Sequence, residues 1–320
     1  MKTDPQTAAD TRTSTGYDII PDIHGDLNRL EQTLIALGYG RRDGVWRAPR
    51  GRKAAFLGDF IDSGLENLAV IDTVDAMLRE GEAVAIMGNH ELNAWLFHTP
   101  GENFYGHPCG YMRAHDAKNM RQHETFLAEA PVGSAQARRA LDFIASLPVF
   151  LDLGGLCLAH AAWSESRVET IRARRPDGRL AAEDLQALAL EDMSDPFVEA
   201  VLSLVKGPEA PLPDGMRFID HKGDPRRNIR LKWWAPEAAT WRAVAASVPD
   251  PAELPDGPFD PALVPLIDPG SRPVAFGHYK RRGALEIDAP RALCLDYPDT
   301  PLAYRWDGEA TFLAEKVIHA

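Results

Sequence analysis

Three apolar runs, each ending in a short polar motif and separated by stretches of helical periodicity, leave this chain few ways to fold. The first run, residues 17–20, stops at Pro21 and opens into Asp22-Ile23-His24-Gly25-Asp26. The second, 53–57, opens into Gly58-Asp59-Phe60-Ile61-Asp62, and the third, 83–87, into Gly88-Asn89-His90-Glu91. Short apolar runs bounded by turn residues read as buried strands. Between them Leu27, Leu30, Leu34 and Leu37 recur at helical spacing up to Gly38, and Leu68, Ile71, Val74 and Leu78 do so up to Gly81. The βαβαβ order predicts a mostly parallel sheet with helices against it. Open α/β sheets bind ligands beyond the carboxyl ends of their strands, and Asp22, Asp59 and Asn89 all stand at such ends.

Beyond residue 149 the pattern changes. Residues 149–153, 156–159 and 274–276 read as strands, and 285–287, 292–295, 302–306 and 311–313 as a meander, so a second, largely antiparallel sheet is expected. A long insertion separates His160 from His278. It reads as helical over 181–190 and 197–205, and as proline-rich loops draped over the core across 206–215 and 248–269. Residues 115–123 read as a polar helix. The expected layout is a disordered tail over 1–16 and one domain over 17–320, with a helical and Pro-rich, cap-like insertion at about 164–270.

Composition narrows the function. A chain of 320 residues that is 45% hydrophobic supports a sizeable core. Its formal net charge of −12 disfavours generic nucleic-acid binding, although bound metals can invert the field locally around a phosphate. Cys109, Cys157 and Cys294 are too few and too far apart for a disulfide framework or a thiolate zinc site, which fits a reducing cytoplasm. The first sixteen residues lack the apolar stretch of a signal peptide, and no run is long enough to span a bilayer.

The polar motifs carry the chemistry. Two close divalent ions need a bridging anion, and Asp59 at the end of a central strand is the best placed. Asp22 and His24 can both turn toward one ion, while Asn89, His160 and His278 complete the shell of the other. Mixed nitrogen and oxygen donors suit manganese first, with iron or zinc as alternatives. Such a pair can bridge a hydroxide and clamp phosphoryl oxygens for in-line attack. His90, beside Asn89, is the candidate general acid, oriented by Asp62. Capping of the following helix is the plain alternative for Asp62. Glu91 reads as a first-turn carboxylate complementing a helix dipole.

These residues resemble the calcineurin-like metallophosphoesterases, in particular the branch with serine/threonine phosphoprotein phosphatases and bacterial diadenosine tetraphosphate hydrolases. The family pattern is Asp-x-His-Gly, Gly-Asp-x-x-Asp, Gly-Asn-His-Glu and two separated histidines, and all five elements stand here in order. The resemblance implies an α/β sandwich of two mixed β-sheets flanked by helices. It implies Asp22, His24 and Asp59 on one ion, and Asp59, Asn89, His160 and His278 on the other, with His90 as acid paired with Asp62. The expected activity is metal-dependent phosphoric ester hydrolysis on a phosphorylated small molecule or phosphoprotein. A dinucleoside polyphosphate hydrolase and a catalytically idle metal-binding scaffold are the alternatives. Two departures stand out. Ser63 occupies the place of an expected Arg, and His160-Ala161-Ala162-Trp163 replaces His-Gly-Gly. The missing Arg removes a bidentate phosphate clamp; Lys118, Arg226, Arg227, Arg230 and Lys232 are the candidates to replace it, and His115 and His98 are further candidates to approach the substrate. His98, His107, His123, His221 and His319 show no ligand spacing and read as surface or hydrogen-bonded residues. Trp233-Trp234 reads as packing before it reads as a platform for a base.

Overall fold

A computed structural model describes residues 16–102, 110–220, 223–261 and 272–320. Apart from Gly16, the expected tail lies outside the described residues, as do His107, Cys109 and His221.

The first half follows the expected alternation: β1 (Gly16–Ile20), α1 (Leu27–Ala36), a hairpin of β2 (Gly40–Arg42) and β3 (Val45–Arg47), β4 (Arg52–Phe56), α2 (Asn67–Arg79), β5 (Ala83–Ala85) and α3 (Asn89–His98). α4 (Ala117–Gln122), α5 (Glu124–Glu129) and α6 (Ala135–Ser146) follow, the first of them within the predicted polar helix. Asp26 caps α1 through Arg29 N at 2.9 Å. Asp62 does not cap α2. Glu129 at the end of α5 does, accepting the backbone N–H of Asn67 at 2.7 Å and of Leu68 at 3.1 Å. Asp62 is thereby left free for other partners.

The third quarter holds β6 (Phe150–Asp152), β7 (Cys157–Ala159), α7 (Glu165–Arg174), α8 (Ala182–Leu190), α9 (Pro196–Lys206), β8 (Glu209–Pro211), β9 (Phe218–Ile219), β10 (Pro225–Arg226), β11 (Asn228–Leu231), α10 (Trp241–Val244) and β12 (Ala245–Ala246). The chain closes with β13 (Val274–Phe276), β14 (Ala292–Cys294), β15 (Leu302–Trp306) and β16 (Val317–His319). Two sheets face each other, in the orders β16-β15-β1-β4-β5 and β14-β13-β7-β6. Strand alternation sorts the apolar side chains. Ile19, Ala55, Leu57 and Ile86 meet Leu158, Ala275 and Leu293 between the sheets, whereas Ile20, Ala54 and Phe56 turn outward to a cluster shared with α1 and α2.

Several strand expectations need correction. The second sheet is not a largely antiparallel meander: β13 runs parallel to both β7 and β14, and the β6–β7 pair is antiparallel. β15 joins the first sheet, antiparallel to β1, with Asp18 opposite Arg305. Buried Asp18 accepts from Arg305 and Arg52 at 3.0 Å each, so an ion network selects the neighbour where apolar pattern could not. Residues 285–287 and 311–313 form no strand. Their apolar side chains pack on the inter-sheet cluster, Phe312 edge-on to Tyr304, without entering a ladder. Of the stretches read as draped loops, 206–215 instead contributes β8 to a sheet of order β12-β11-β8 with its own core of Ala210, Ile229, Leu231 and Trp241. Trp233 and Trp234 pack on Phe276, and Trp233 Nε1 donates to the Ala161 carbonyl at 2.8 Å, beside His160.

Because the α2 cap is borrowed from α5, Glu129→Ala should lower stability by about 1–2 kcal/mol, read as a shift of the urea midpoint at unchanged slope.

Candidate metal centre

The motif loops meet at one rim because backbone bonds lace them together. Ile23 and His24 N–H donate to the Asp59 carbonyl at 3.0 and 2.8 Å, Gly25 N–H to Phe60 at 2.7 Å, and Gly64 N–H to His24 at 2.7 Å. Gly277 N–H donates to the His160 carbonyl at 2.9 Å, bringing the end of β13 to the end of β7. A side chain at Gly277 would overlap the Asp22 carboxylate, and one at Gly58, where φ is +93°, would strike the backbone of Gly88. These two glycines are required for close approach.

Glu91 acts beyond a dipole. It is fully buried, and its carboxylate accepts four backbone N–H groups: Gly88 at 2.9 Å, Asp59 and Phe60 at 2.8 Å each, and Ile61 at 3.3 Å. It clamps the second motif onto the third. Asp59 (φ +51°), Asp62 (+73°), Ser63 (+68°), His24 (+51°) and His278 (+70°) all take the left-handed backbone conformation. Each such residue costs of order ~1–3 kcal/mol unless its surroundings over-determine it. The laced loops supply that constraint.

Two groups of donor atoms converge. His24, Asp59 and His90 each offer an atom within 4.8 Å of the others, and so do Asp22, Asp59 and His160. Asp59 is common to both. Asn89 Oδ1 completes the rim, facing His278 Nδ1 at 2.7 Å and His160 Nε2 at 3.1 Å. Nδ1–H of His160 donates to the Leu57 carbonyl at 2.8 Å and Nδ1–H of His24 to the Ile61 carbonyl at 3.2 Å, leaving both Nε2 atoms for the centre. The grouping places Asp22 with His160 and Asp59, where the sequence pairs Asp22 with His24.

The electrostatics are those of a site made for cations. Burial and the neighbouring Asp296 and Asp59 raise the Asp22 carboxyl well above its usual range. Burial would raise Asp59 too, but His160, His90 and His24 hold it well below that range. His24 is pushed down to about 3 by burial and by His90. His160 is held up at about 10, because Asp59 and Asp22 outweigh its burial. Asp22 Oδ1, His24 Nε2 and His278 Nε2 are buried with no hydrogen-bond partner, His24 Nε2 lying 3.8 Å from Asp59 Oδ2. Unpaired buried donors of mixed nitrogen and oxygen type, crowded around ionised carboxylate, fit divalent cations of the borderline kind.

Beside this rim, His90 Nδ1–H donates to Asp62 Oδ2 at 2.6 Å. Asp59 and Asp62 raise the His90 imidazole against its burial, and the two histidines on Asp62 lower that carboxyl against its own. The second of them is His123, whose Nδ1 lies 2.9 Å from Asp62 Oδ2 and 3.2 Å from Oδ1. Nothing in the local pattern marks it, since the contact spans 61 positions. Asp296, buried at the end of β14, and Lys280, two residues past His278, also bear on the site electrostatically and were not anticipated.

The proposed substrate contacts are dispersed. Arg230 reaches the rim, its guanidinium 3.5 Å from the His278 carbonyl and 3.9 Å from Glu209, and it adds to the burial that lowers the His278 imidazole. Arg226 is paired with Asp220 at 2.7 Å. Arg227 and Lys118 are exposed, Lys118 on α4. Lys232 is half-buried near Arg281 and Asp288. His115 stacks between Phe97 and Tyr111 and bonds the Phe97 carbonyl at 2.8 Å. His98 is buried with neither ring nitrogen partnered, unlike the surface or hydrogen-bonded role expected of it.

The profile of the calcineurin-like phosphoesterases matches residues 17–200. This chain belongs to that family, which implies divalent metal ions. A bis(5'-nucleosyl)-tetraphosphatase PrpE [asymmetrical] of Anoxybacillus flavithermus is 45% identical over 74 residues, 23% of this chain and 30% of that protein. The match therefore spans less than a third of that relative's length. Among solved structures, a cold-active protein-tyrosine phosphatase of a Shewanella species is 13% identical, covering 92% of this chain and 78% of its own, at a TM-score of 0.43. A protein serine/threonine phosphatase from Saccharomyces cerevisiae, similar to human phosphatase PP5, is 12% identical over 96% and 79%, at 0.45.

Since Asp62 helps hold the His90 imidazole up, Asp62→Asn should lower the His90 titration midpoint in metal-free protein. Histidine NMR across pH 4–9 (about two units either side of an ordinary imidazole) would show it, and an unmoved midpoint would contradict the coupling.

Proposed function

We propose that this chain is a metal-dependent phosphoric ester hydrolase built around a dinuclear centre. The observation that carries the reading is the shared vertex: Asp59 belongs to both groups of converging donor atoms. The two donor groups share Asp59 but divide the other residues differently, so the assignment follows the family pattern: Asp22, His24 and Asp59 would hold one ion, and Asp59, Asn89, His160 and His278 the other. When bound, the ions supply Lewis-acid charge for the phosphoryl oxygens and acidify a coordinated water.

The remaining work falls to the chain. Asp62 accepts the Nδ1 proton of His90 and fixes the ring, which leaves Nε2 to face the centre and deliver a proton to the departing oxygen. Help of this kind contributes ~10²–10⁴-fold. Arg230 takes the place that the family gives to the residue after Asp62, here Ser63. Its fork offers the phosphate a charged donor from the insertion side of the rim. Lys280 adds positive charge near His24 and Asp296.

A phosphate monoester, on a small molecule or a phosphoprotein, is the substrate we favour. The stretch shared with PrpE supports a dinucleoside polyphosphate as the second reading. Manganese suits the donor set best, with iron or zinc behind it. Among the described residues no helix is long and apolar enough to cross a membrane, and the cysteine usage supports a cytoplasmic setting. Parallel assays with p-nitrophenyl phosphate, a phosphoserine peptide and diadenosine tetraphosphate, each with manganese, decide between the substrates. Hydrolysis of none of them would sink the enzymatic reading.

Asp59→Asn should reduce bound metal from two equivalents to below one by elemental analysis and cut turnover by at least about 100-fold. Arg230→Ala should lower kcat/KM by roughly 10–100-fold, the loss of one charge-assisted contact, with metal content unchanged.

A further inference from the structure

We infer that His123 is a positioning residue for the acid assembly: its Nδ1–H pins the Asp62 carboxylate so that this carboxylate holds the His90 ring toward the centre. The inference rests on the reading of His90 as the general acid and extends it by one residue.

Asp62 is fully buried, and its backbone is already constrained, with φ at +73° and its N–H donated to Asn67 Oδ1 at 2.6 Å. Its carboxylate plane is not constrained by those contacts, since rotation about the last bond of Asp is broad and soft. Two imidazoles fix that plane. His90 Nδ1 sits 2.6 Å from Oδ2. His123 Nδ1 reaches both oxygens, at 2.9 Å and 3.2 Å. Without His123, Oδ1 and Oδ2 would be interchangeable partners for His90, and the ring would lose its defined pitch.

The tautomer of His123 follows from the contact. A bare nitrogen 2.9 Å from a carboxylate oxygen would set lone pair against lone pair, so Nδ1 carries the proton. Nε2 is buried and has no partner. The ring lies at the junction of α4 and α5, edge-on to Phe97 at 5.4 Å, and the backbone N–H of His123 donates to the Asn119 carbonyl at 3.1 Å. Burial in this setting favours the uncharged imidazole. His123 thus gives Asp62 a donor from a rigid element without a second formal charge, and His90 keeps the role of cationic partner.

The test uses four variants of the full-length, metal-loaded protein: His90→Asn, His123→Phe, His123→Asn and the double variant His90→Asn with His123→Phe. Phe keeps the ring and removes the donor. The Asn amide nitrogen stands as many bonds from the backbone as Nδ1 and restores the donor. We expect His123→Phe to lose about 10–100-fold in kcat on a phosphoserine peptide, a part of what a general acid supplies. KM and metal stoichiometry should hold, and p-nitrophenyl phosphate, with its good leaving group, should be hit far less. His123→Asn should recover most of the loss, and the double variant should be no slower than His90→Asn alone.

Equal loss on both esters, no loss at all, failure of Asn to rescue, or additivity in the double variant would each overturn the role. A His90→Asn protein equally slow on both esters would sink the acid reading itself, and this inference with it. Additivity would sink the role of His123 alone. Should His123→Phe fail to fold, histidine NMR of the metal-free wild type decides. A protonated His123 Nδ1 is expected, and a bare one would overturn the inference.

Discussion

The carboxylate of Glu91 holds the platform on which the centre stands. By accepting N–H groups from Gly88, Asp59, Phe60 and Ile61 it joins the turn after β4 to the turn before α3. Those backbone donors point inward at a loop that has no ladder to satisfy them. Leaving even one buried and unpaired costs ~1–3 kcal/mol. With the four satisfied by a single side chain, Asp59 can occupy a left-handed conformation and present both oxygens at the meeting point of the two sheets. The bridging position proposed for Asp59 is a backbone achievement before it is a carboxylate one.

Around that platform, charge is arranged in layers. Asp59 is kept ionised by three histidines, while Asp22 is pressed toward the neutral form by burial and by Asp296. Such crowding of buried carboxylate and unpartnered imidazole is costly in the bare protein and is relieved by cations. One layer further out, Asp62 is held low by His90 and His123, and Arg230 and Lys280 bring positive charge to the open side. In a chain of net charge −12, those two cations would matter more than the overall balance for the anionic substrate of the proposed function.

Much of this was readable along the chain. α1 and α2, and the strands ending at Asp22, Asp59 and Asn89, came from periodicity, because one face of the first sheet is buried by α1 and α2 and the other by the second sheet. The convergence of Asp22, His24, Asp59, Asn89, His160 and His278 was legible for the same reason, since each follows a strand end. Sheet membership was not. β14 and β15 have similar apolar patterns, yet one extends the second sheet in parallel and the other returns beside β1 through Asp18, Arg52 and Arg305. The small sheet of the insertion was hidden by its prolines, and Phe312 imitated a strand by burying one ring. Local sequence leaves Asp62 open to capping α2 or to bonding His90, and it bonds His90 because Glu129 caps α2 from another helix.

Residue type and local order therefore determined which side chains could grip a metal and on which strand ends they stand, because strand exits and turn glycines are short-range features of the polypeptide. The tertiary structure alone decided who stands behind them. His123 reaches Asp62 across 61 positions, Arg230 reaches His278 across 48, and Asp18 meets Arg305 across 287. Contacts of that reach are set by how sheets and insertion pack, and packing is a property of the whole chain that no local pattern encodes.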